Sequence, residues 1–258
     1  MSEHLRLEQD GAVARLLIDR PAKRNAFDQA MWEALPGLVD AAIARASVRV
    51  LVLQAAVPGP FCAGADIGEF AAQSGDPEWR ARNQGAIRQA QVTLTRAPKP
   101  TIAAVDGDCI GGGCGLALAC DMRIASPRAR FGITPAKLGL VYPLHDTKLL
   151  VDVVGPAQAK RMLFTGALLE AAEAARIGLA TVLADDLEAA VEGLTAAIAG
   201  ASPHSQRATK AIVRRILDGA SDDDAASSGE FDAAFTGADF AEGVTAFLAK
   251  RKPAFADR

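Results

Sequence analysis

Apolar and polar positions alternate at the start of the chain in the pattern of a two-stranded hairpin. Residues 5–8 alternate, Asp10-Gly11 is a typical turn pair, and residues 13–18 continue as a second strand. A polar loop follows, and Asp28 then provides a good N-cap residue for a helix. That helix is predicted to extend to about Ala46.

Downstream of this helix, apolar runs and helical patterns continue to alternate. The predicted elements are strands at residues 48–54, 101–105 and 122–125 and a helix at residues 77–97. Strand–helix alternation therefore extends to about residue 140, which is typical of an α/β protein.

Beyond about Pro156 the pattern is almost entirely helical. Helices are predicted over residues 156–165, 170–177, 185–199, 203–218, 223–235 and 239–250. Neither a repeat of fixed period nor a long linker is visible. An α/β part followed by a helical part is compatible with several folds, so motifs are needed to choose among them.

Composition and charge narrow the class of protein. Hydrophobic residues make up 50% of the 258-residue chain, enough for a sizeable core. The net charge of −3 and the aromatic content of 5% argue against nonspecific nucleic-acid binding, which needs a basic face. No partner of that kind is expected.

The cysteines and the N-terminus bear on the compartment. No C-x-x-C pair occurs and histidines are few, so neither a zinc site nor a disulfide framework is expected. The N-terminus has no apolar segment typical of a signal peptide, and no apolar stretch reaches the ~20 residues that span a bilayer. We therefore predict a cytoplasmic protein without membrane or metal partners.

Two loops of small residues are the candidate sites of chemistry. The first is Ala63-Gly64-Ala65-Asp66-Ile67, where small side chains let a ligand approach the backbone and Gly64 permits a positive φ. The second is Gly111-Gly112-Gly113, which lies between a strand and a helix. Free N–H groups at a helix N-terminus suit a developing negative charge. Either loop alone is a weak signal, and the second matches neither a P-loop nor a G-x-G-x-x-G dinucleotide motif.

Together with other segments, these loops resemble the crotonase family, also called the enoyl-CoA hydratase/isomerase family. The resemblance covers essentially the whole chain. The matching segments, in family order, are Arg20-Pro21 with Asn25-Ala26, the two loops, residues 120–125, Phe131-Gly132 with Pro135 and Leu138-Gly139, and residues 242–253. So many segments in one order are not expected by chance.

The resemblance implies an α/β fold, a spiral of ββα units with a helical C-terminal region that mediates trimers or hexamers. On this basis, residues 1–195 are assigned to the spiral core and residues 196–258 to the trimerisation region. The family uses the backbone N–H groups at the positions of Ala65 and Gly112 to hold the thioester oxygen of an acyl-CoA. No tightly bound cofactor is implied, since coenzyme A is part of the substrate.

The resemblance also implies a set of residues around coenzyme A. Lys23 or Arg24 would meet its phosphates, and Phe247 and Lys250 would reach the coenzyme A of a neighbouring subunit. Asp66 belongs to the loop motif and is expected to shape the turn. The remaining candidate binding residues are Ala26, Ala63, Ile67, Gly111, Pro135, Ala136 and Leu140. For Lys23, Arg24 and Lys250, an ordinary solvated charge is the alternative.

The chain departs from the family at both hydratase glutamates. The positions implied for them are Gly115 and Ala136. A positioned acid or base typically contributes about 10²–10⁴ in rate, and neither glycine nor alanine provides one. The oxyanion site is therefore expected without the usual acid–base pair.

Tyr142 is the candidate for an alternative chemistry. The stretch from Thr134 to Tyr142 is similar to the matching stretch of methylmalonyl-CoA decarboxylases, which belong to this family but retain a glutamate where this chain has Gly115. Core packing of Tyr142 and helix capping by His145-Asp146 are the alternatives. Three functions remain open: an enzyme of the hydratase/isomerase type, a decarboxylase using Tyr142, and a non-catalytic acyl-CoA-binding protein.

Overall fold

The structure is a computed structural model that describes residues 2–256. Its strands are β1 Leu5–Asp10, β2 Val13–Ile18, β3 Val50–Ala55, β4 Thr101–Val105, β5 Asp108–Ile110, β6 Met122–Ala125, β7 Arg130–Gly132, β8 Leu169–Glu170 and β9 Val182–Leu183. Its helices are α1 Gln29–Ile43, α2 Ile67–Gln73, α3 Pro77–Arg96, α4 Gly112–Ala119, α5 Leu144–Thr165, α6 Ala171–Arg176, α7 Leu187–Ala199, α8 Pro203–Leu217, α9 Ala225–Ala234 and α10 Ala238–Leu248. Short 3₁₀ helices occupy Pro21–Lys23 and Pro135–Leu138.

The strands form two sheets. The larger has the order β1-β2-β3-β4-β6-β9, with β1 antiparallel to β2 and the other neighbours parallel. The smaller has the order β5-β7-β8, with β5 and β7 parallel. A central parallel strand is covered on both faces, which explains why β3 begins with four consecutive buried apolar residues. The carboxyl end of β3 leads towards the first glycine-containing loop, and β5 ends directly before the second.

The helix α1 packs its apolar face into the main core. Asp28 caps it, because its carboxylate accepts a hydrogen bond from the Met31 amide at 2.9 Å. Met31, Trp32 and Leu35 on this helix are fully buried. The ring centroid of Trp32 lies 4.6 Å from that of Phe27, so two large aromatic groups fill the space beneath the loops.

Most of the predicted elements are present. The strands at 13–18, 101–105 and 122–125 and the helix at 77–97 are confirmed within one residue at each end, and the first hairpin strand is confirmed but extends two residues further, to Asp10. The first helix starts where Asp28 predicts and ends at Ile43 rather than Ala46. All four cysteines are buried and free.

The second half differs from the prediction in two places. Residues 144–155 have no predicted element, yet they form the first segment of α5. Gly155, with the non-helical angles φ 74° and ψ 165°, separates this segment from the predicted helix that begins at Pro156 and ends at Thr165, so that helix is confirmed. The almost entirely helical half also contains two short strands. The short strands β8 and β9 each extend a sheet, and two-residue strands give no periodic signal in a sequence.

The predicted boundary between residues 195 and 196 falls within α7, and that division stays a prediction. Across residues 2–256, every helix is too short or too polar to cross a lipid bilayer.

Candidate active site

Backbone hydrogen bonds join the two glycine-containing loops. The Cys62 amide donates to the Asp108 carbonyl at 3.0 Å, and the Ile110 amide donates to the Cys62 carbonyl at 2.9 Å. A Cβ on Gly113 would overlap the Cys62 carbonyl oxygen, so only glycine allows this approach. The loops that are separate in sequence therefore form one rigid unit.

The amides of Ala65 and Gly112 lie side by side in this unit. The Ala65 nitrogen is 3.9 Å from the point where a Cβ on Gly112 would stand. Gly112 is the first residue of α4, where N–H groups have no intrahelical acceptor. Within residues 2–256, neither of these two N–H groups donates a hydrogen bond to a protein acceptor. Two neighbouring free donors thus remain for a ligand.

Two glycines with positive φ allow the close approach of these amides. Gly64 has φ 98° and Gly111 has φ 57°, values that L-residues rarely adopt. A Cβ on Gly64 would also lie 2.9 Å from the Ile110 carbonyl oxygen. A larger residue at position 64 would push the loops apart, and at position 111 the positive φ disfavours any L-residue.

Asp66 holds the first loop in place. Its carboxylate caps α2 by accepting from the Gly68 and Glu69 amides, and it pairs with Arg20 at 2.8 Å. Burial alone would raise the pKa of Asp66, but the Arg20 hydrogen bond and the two amide hydrogen bonds outweigh burial and lower it. The expected turn-shaping role of Asp66 agrees with these contacts.

The loop at residues 20–26 lies beside the first glycine loop, because the Ala63 amide donates to the Arg24 carbonyl at 3.0 Å. Arg24 pairs with the buried Asp108, which also pairs with Arg130, so the three groups together keep one net positive charge. Lys23 is exposed, and its ammonium group has no partner among the described residues. Of the two candidate phosphate contacts, Lys23 is the one without an ion-pair partner in the described part of the chain. Ala26 is buried behind the loop.

The other predicted binding residues are more dispersed. Pro135 and Ala136 start the second 3₁₀ helix, and the backbone links this region to the second glycine loop, since the Gly111 amide donates to the Gly132 carbonyl at 2.8 Å. Ala136, Leu140 and Ile67 are exposed.

Phe247 and Lys250 are exposed near the end of α10 and form no hydrogen bond or ion pair with the glycine loops. Their contact with the coenzyme A of another subunit stays a prediction.

Gly115 lies one turn along α4 from Gly112 and faces a cluster of buried polar groups. A Cβ on Gly115 would lie 2.5 Å from Nε2 of Gln91, 3.3 Å from Oη of Tyr142 and 3.6 Å from Oδ1 of Asp146. Gln91 donates to Asp146 Oδ1 at 2.6 Å. Oη of Tyr142, Oδ2 of Asp146 and Oε1 of Gln91 are buried without a hydrogen-bond partner among the described residues.

Burial sets the protonation of this cluster. It raises the pKa of Asp146, and the hydrogen bond from Gln91 offsets this only in part. It also raises the pKa of Tyr142 well above 10, with a further contribution from the charge of Asp146. Tyr142 is thus an O–H donor at neutral pH, and Asp146 is more easily protonated than an exposed aspartate.

Comparisons with known proteins identify the family. A profile of the Enoyl-CoA hydratase/isomerase family matches residues 8–258. The chain belongs to this family. A crotonyl-CoA hydratase from Syntrophomonas wolfei subsp. wolfei is 36% identical, with 98% of each protein covered. A short-chain-enoyl-CoA hydratase from Clostridium acetobutylicum is 32% identical, with 95% of each covered.

Solved structures of the enoyl-CoA hydratase/isomerase family share the fold. A family protein from Hyphomonas neptunium has a TM-score of 0.95 at 38% identity, covering 99% of this chain and 98% of that one. An enoyl-CoA hydratase/carnithine racemase from Magnetospirillum magneticum has a TM-score of 0.95 at 32% identity, covering 100% and 97%. The crotonase fold predicted from the sequence is therefore confirmed.

Sequence reasoning missed three residues around this enoyl-CoA hydratase/isomerase family site. Trp32 packs under the second loop, because a Cβ on Gly112 would lie 3.0 Å from its Cζ2. Its position on the apolar face of α1 was a signal for burial but not for this contact. Gln91 gave no signal, since a polar residue in a polar helix is ordinarily exposed. Asp146 was considered only as a helix cap. Its helix instead begins after Pro143, which makes no side-chain capping hydrogen bond.

Proposed function

We propose that this protein is an enzyme that acts on acyl-CoA thioesters and stabilises the derived enolate with the N–H groups of Ala65 and Gly112. The observation that supports it is the pair of adjacent, unpartnered amides, one of them at the N-terminus of α4. Removing charge from the α-carbon of a thioester places negative charge on its oxygen. Fixed donors at that oxygen lower the barrier, and losing one such donor costs roughly 3–4 kcal/mol in a comparable site.

A reaction of the hydratase or isomerase type is the leading proposal. The names of the relatives support it, since the first two compared are hydratases of crotonyl-CoA and of short-chain enoyl-CoA. The family's glutamate positions hold Gly115 and Ala136, so a different group has to move the proton. A glutamate restored at position 115 would also have to displace the Gln91 amide, which lies 2.5 Å from the Cβ position.

Decarboxylation is the second candidate, and the hydroxyl of Tyr142 favours it. This hydroxyl is buried, protonated and without a protein partner, and it lies beside Gly115 near the proposed thioester site. A phenol in that state is suited to hold a substrate carboxylate. Loss of carbon dioxide would form the same enolate, which again needs the two amides.

Binding and turnover have to be measured separately. Calorimetry with a non-hydrolysable acyl-CoA is expected to show binding, and no binding at millimolar ligand would contradict the proposal. Mass spectrometry after incubation with crotonyl-, 3-enoyl-, malonyl- and methylmalonyl-CoA then scores hydration, isomerisation and decarboxylation together. Binding without any turnover would instead indicate a non-catalytic acyl-CoA-binding protein.

A further inference from the structure

The buried polar cluster around Gly115 includes one group that is able to exchange a proton at neutral pH. Asp146 is 3% exposed and Gln91 is fully buried, yet each has an oxygen without a partner among residues 2–256. Leaving such atoms unpaired in a core costs free energy unless a ligand or water satisfies them. The cluster therefore indicates a site and not simply a packed interior.

We propose that Asp146 exchanges a proton with the α-carbon of the bound acyl-CoA and replaces the glutamate that is absent at position 115. This inference rests on the proposed oxyanion site, because only a thioester held there brings its α-carbon near Gly115. Residues three apart on a helix lie on one face with Cβ positions about 5–6 Å apart. A thioester oxygen at the Gly112 amide thus places the α-carbon, two bonds away, within reach of the groups beside Gly115.

The neighbouring groups are less suited to this role. Gln91 does not titrate, and its Nε2 instead fixes the orientation of Asp146. Tyr142 has a pKa raised well above 10, so it is a donor and not a base. His145 has an unpartnered Nε2 among the described residues, but the three atoms nearest to the Gly115 Cβ position belong to Gln91, Tyr142 and Asp146. Asp146 is the titratable carboxylate of this cluster.

The proposed step is a reversible proton transfer. Ionised Asp146 takes the α-proton, the Cα–H electron pair forms the enolate double bond, and the carbonyl π electrons move to the oxygen held by Ala65 and Gly112. In return, the protonated carboxyl of Asp146 gives a proton to the α-carbon, and the thioester carbonyl re-forms. The hydrogen bond from Gln91 stabilises the carboxylate, and the carboxyl exchanges its proton with solvent between the two events. No further reactant is required.

Deuterium incorporation measures this step by itself. Butyryl-CoA has no double bond to hydrate or shift and no carboxylate to lose, so incubation in D₂O scores only exchange at the α-carbon by mass spectrometry. The wild-type protein is expected to incorporate deuterium, and Asp146→Asn is expected to slow incorporation at least about 100-fold. Asparagine keeps an oxygen for the Gln91 hydrogen bond, so the variant should fold and bind acyl-CoA.

Asp152→Asn is the matched control. Asp152 lies on the same helix but pairs with Lys148, and its substitution should leave the exchange rate unchanged. Asp146→Ala provides a second test, since it leaves space for a small carboxylic acid. Added acetate should restore part of the exchange in Asp146→Ala, which a purely structural role of Asp146 would not allow.

Exchange by Asp146→Asn at close to the wild-type rate would overturn the inference, as would wild-type protein that binds butyryl-CoA without exchanging its α-protons. Failure of acetate to restore any exchange in folded Asp146→Ala would also count against it. Calorimetry with butyryl-CoA separates these results from failure of the proposed function. If butyryl-CoA still binds, the proposed oxyanion site stands and only the role of Asp146 is rejected. If it does not bind, both proposals are rejected.

Discussion

At the scale of single residues, Asp146 is expected to lower stability at neutral pH. Its pKa in the folded protein is raised above the unfolded value, so its contribution is most favourable below the unfolded pKa of about 3.9 and is lost as pH rises through the folded pKa. Asp146→Asn should therefore raise the melting temperature at pH 8, and this gain should shrink towards pH 4. Thermal melts across that range provide the measurement.

Comparing the melting temperatures of Asp146→Asn and wild type separates the effect of Asp146 from that of other titratable groups. The charged or titratable groups near Asp146 and the adjacent His145 are Lys148 on the same helix, Arg88 on α3, Cys114 on α4, Arg214 on α8 and Tyr142. They are present in both proteins, so their titration largely cancels in the difference. A lower melting temperature for Asp146→Asn at every pH would show that the carboxylate is stabilising.

Tyr142→Phe distinguishes a role in chemistry from one in packing. If the reaction is decarboxylation, loss of the hydroxyl should lower kcat on malonyl- or methylmalonyl-CoA by about 10²-fold while acyl-CoA affinity changes little. A protein hydrogen bond usually contributes about 1 kcal/mol, but Oη of Tyr142 has no partner in the described chain. The melting temperature should therefore stay the same or rise. Unchanged rates would indicate that Tyr142 only lines the pocket and takes no part in the chemistry.

At the scale of elements, the junction between the second loop and α4 is the most sensitive position. Gly112→Ala places a methyl group 3.0 Å from the Trp32 ring and next to the Ala65 amide. Either the ring or the loop has to move, and a shift of about 1 Å at a reacting centre costs about 10²-fold in rate. Steady-state kinetics on any thioester that the wild type turns over should show a loss of that order in kcat.

Gly37→Ala is the matched control for this substitution. Gly37 is an exposed residue within α1, and a Cβ there would meet nothing within 4 Å. Alanine is favoured over glycine in a helix by roughly 0.5–1 kcal/mol, so this variant should be slightly more stable and equally active. Equal activity of Gly112→Ala and wild type would contradict the oxyanion role of this loop.

The two glycine-containing loops could be predicted from the sequence, whereas the polar cluster around Gly115 could not. The loops at Ala65 and Gly112 were predictable, because the close approach of two backbone segments requires small residues in consecutive positions. The cluster of Gln91, Tyr142 and Asp146 was not, since it depends on how α3 and α5 pack against α4. The first turns of α5 had no predicted element, so Asp146 had no predicted neighbours. The hint that other groups are needed came from Gly115 and Ala136, which stand where the family resemblance implies the two glutamates.

At the scale of the whole molecule, the C-terminal helices expose large apolar side chains. Phe231, Phe235 and Phe240 form consecutive edge-to-face pairs yet remain about half exposed or more. Phe247 and Leu248 at the end of α10 are 82% and 75% exposed. A monomer rarely leaves so many neighbouring aromatic and aliphatic groups in water. The surface of α9 and α10 therefore favours assembly with other copies of the chain.

We expect a trimer, or a hexamer built from two trimers, with α10 reaching a neighbouring subunit. Light scattering at micromolar concentration should give a mass of three or six chains. Phe247→Asp puts a charge on the most exposed aromatic side chain of α10, where desolvation in an interface is unfavourable. If Phe247 contacts coenzyme A across an interface, this variant should weaken both association and acyl-CoA binding. Association that weakens without any change in binding would place Phe247 in the interface alone, and a wild-type monomer would remove Phe247 and Lys250 from the site.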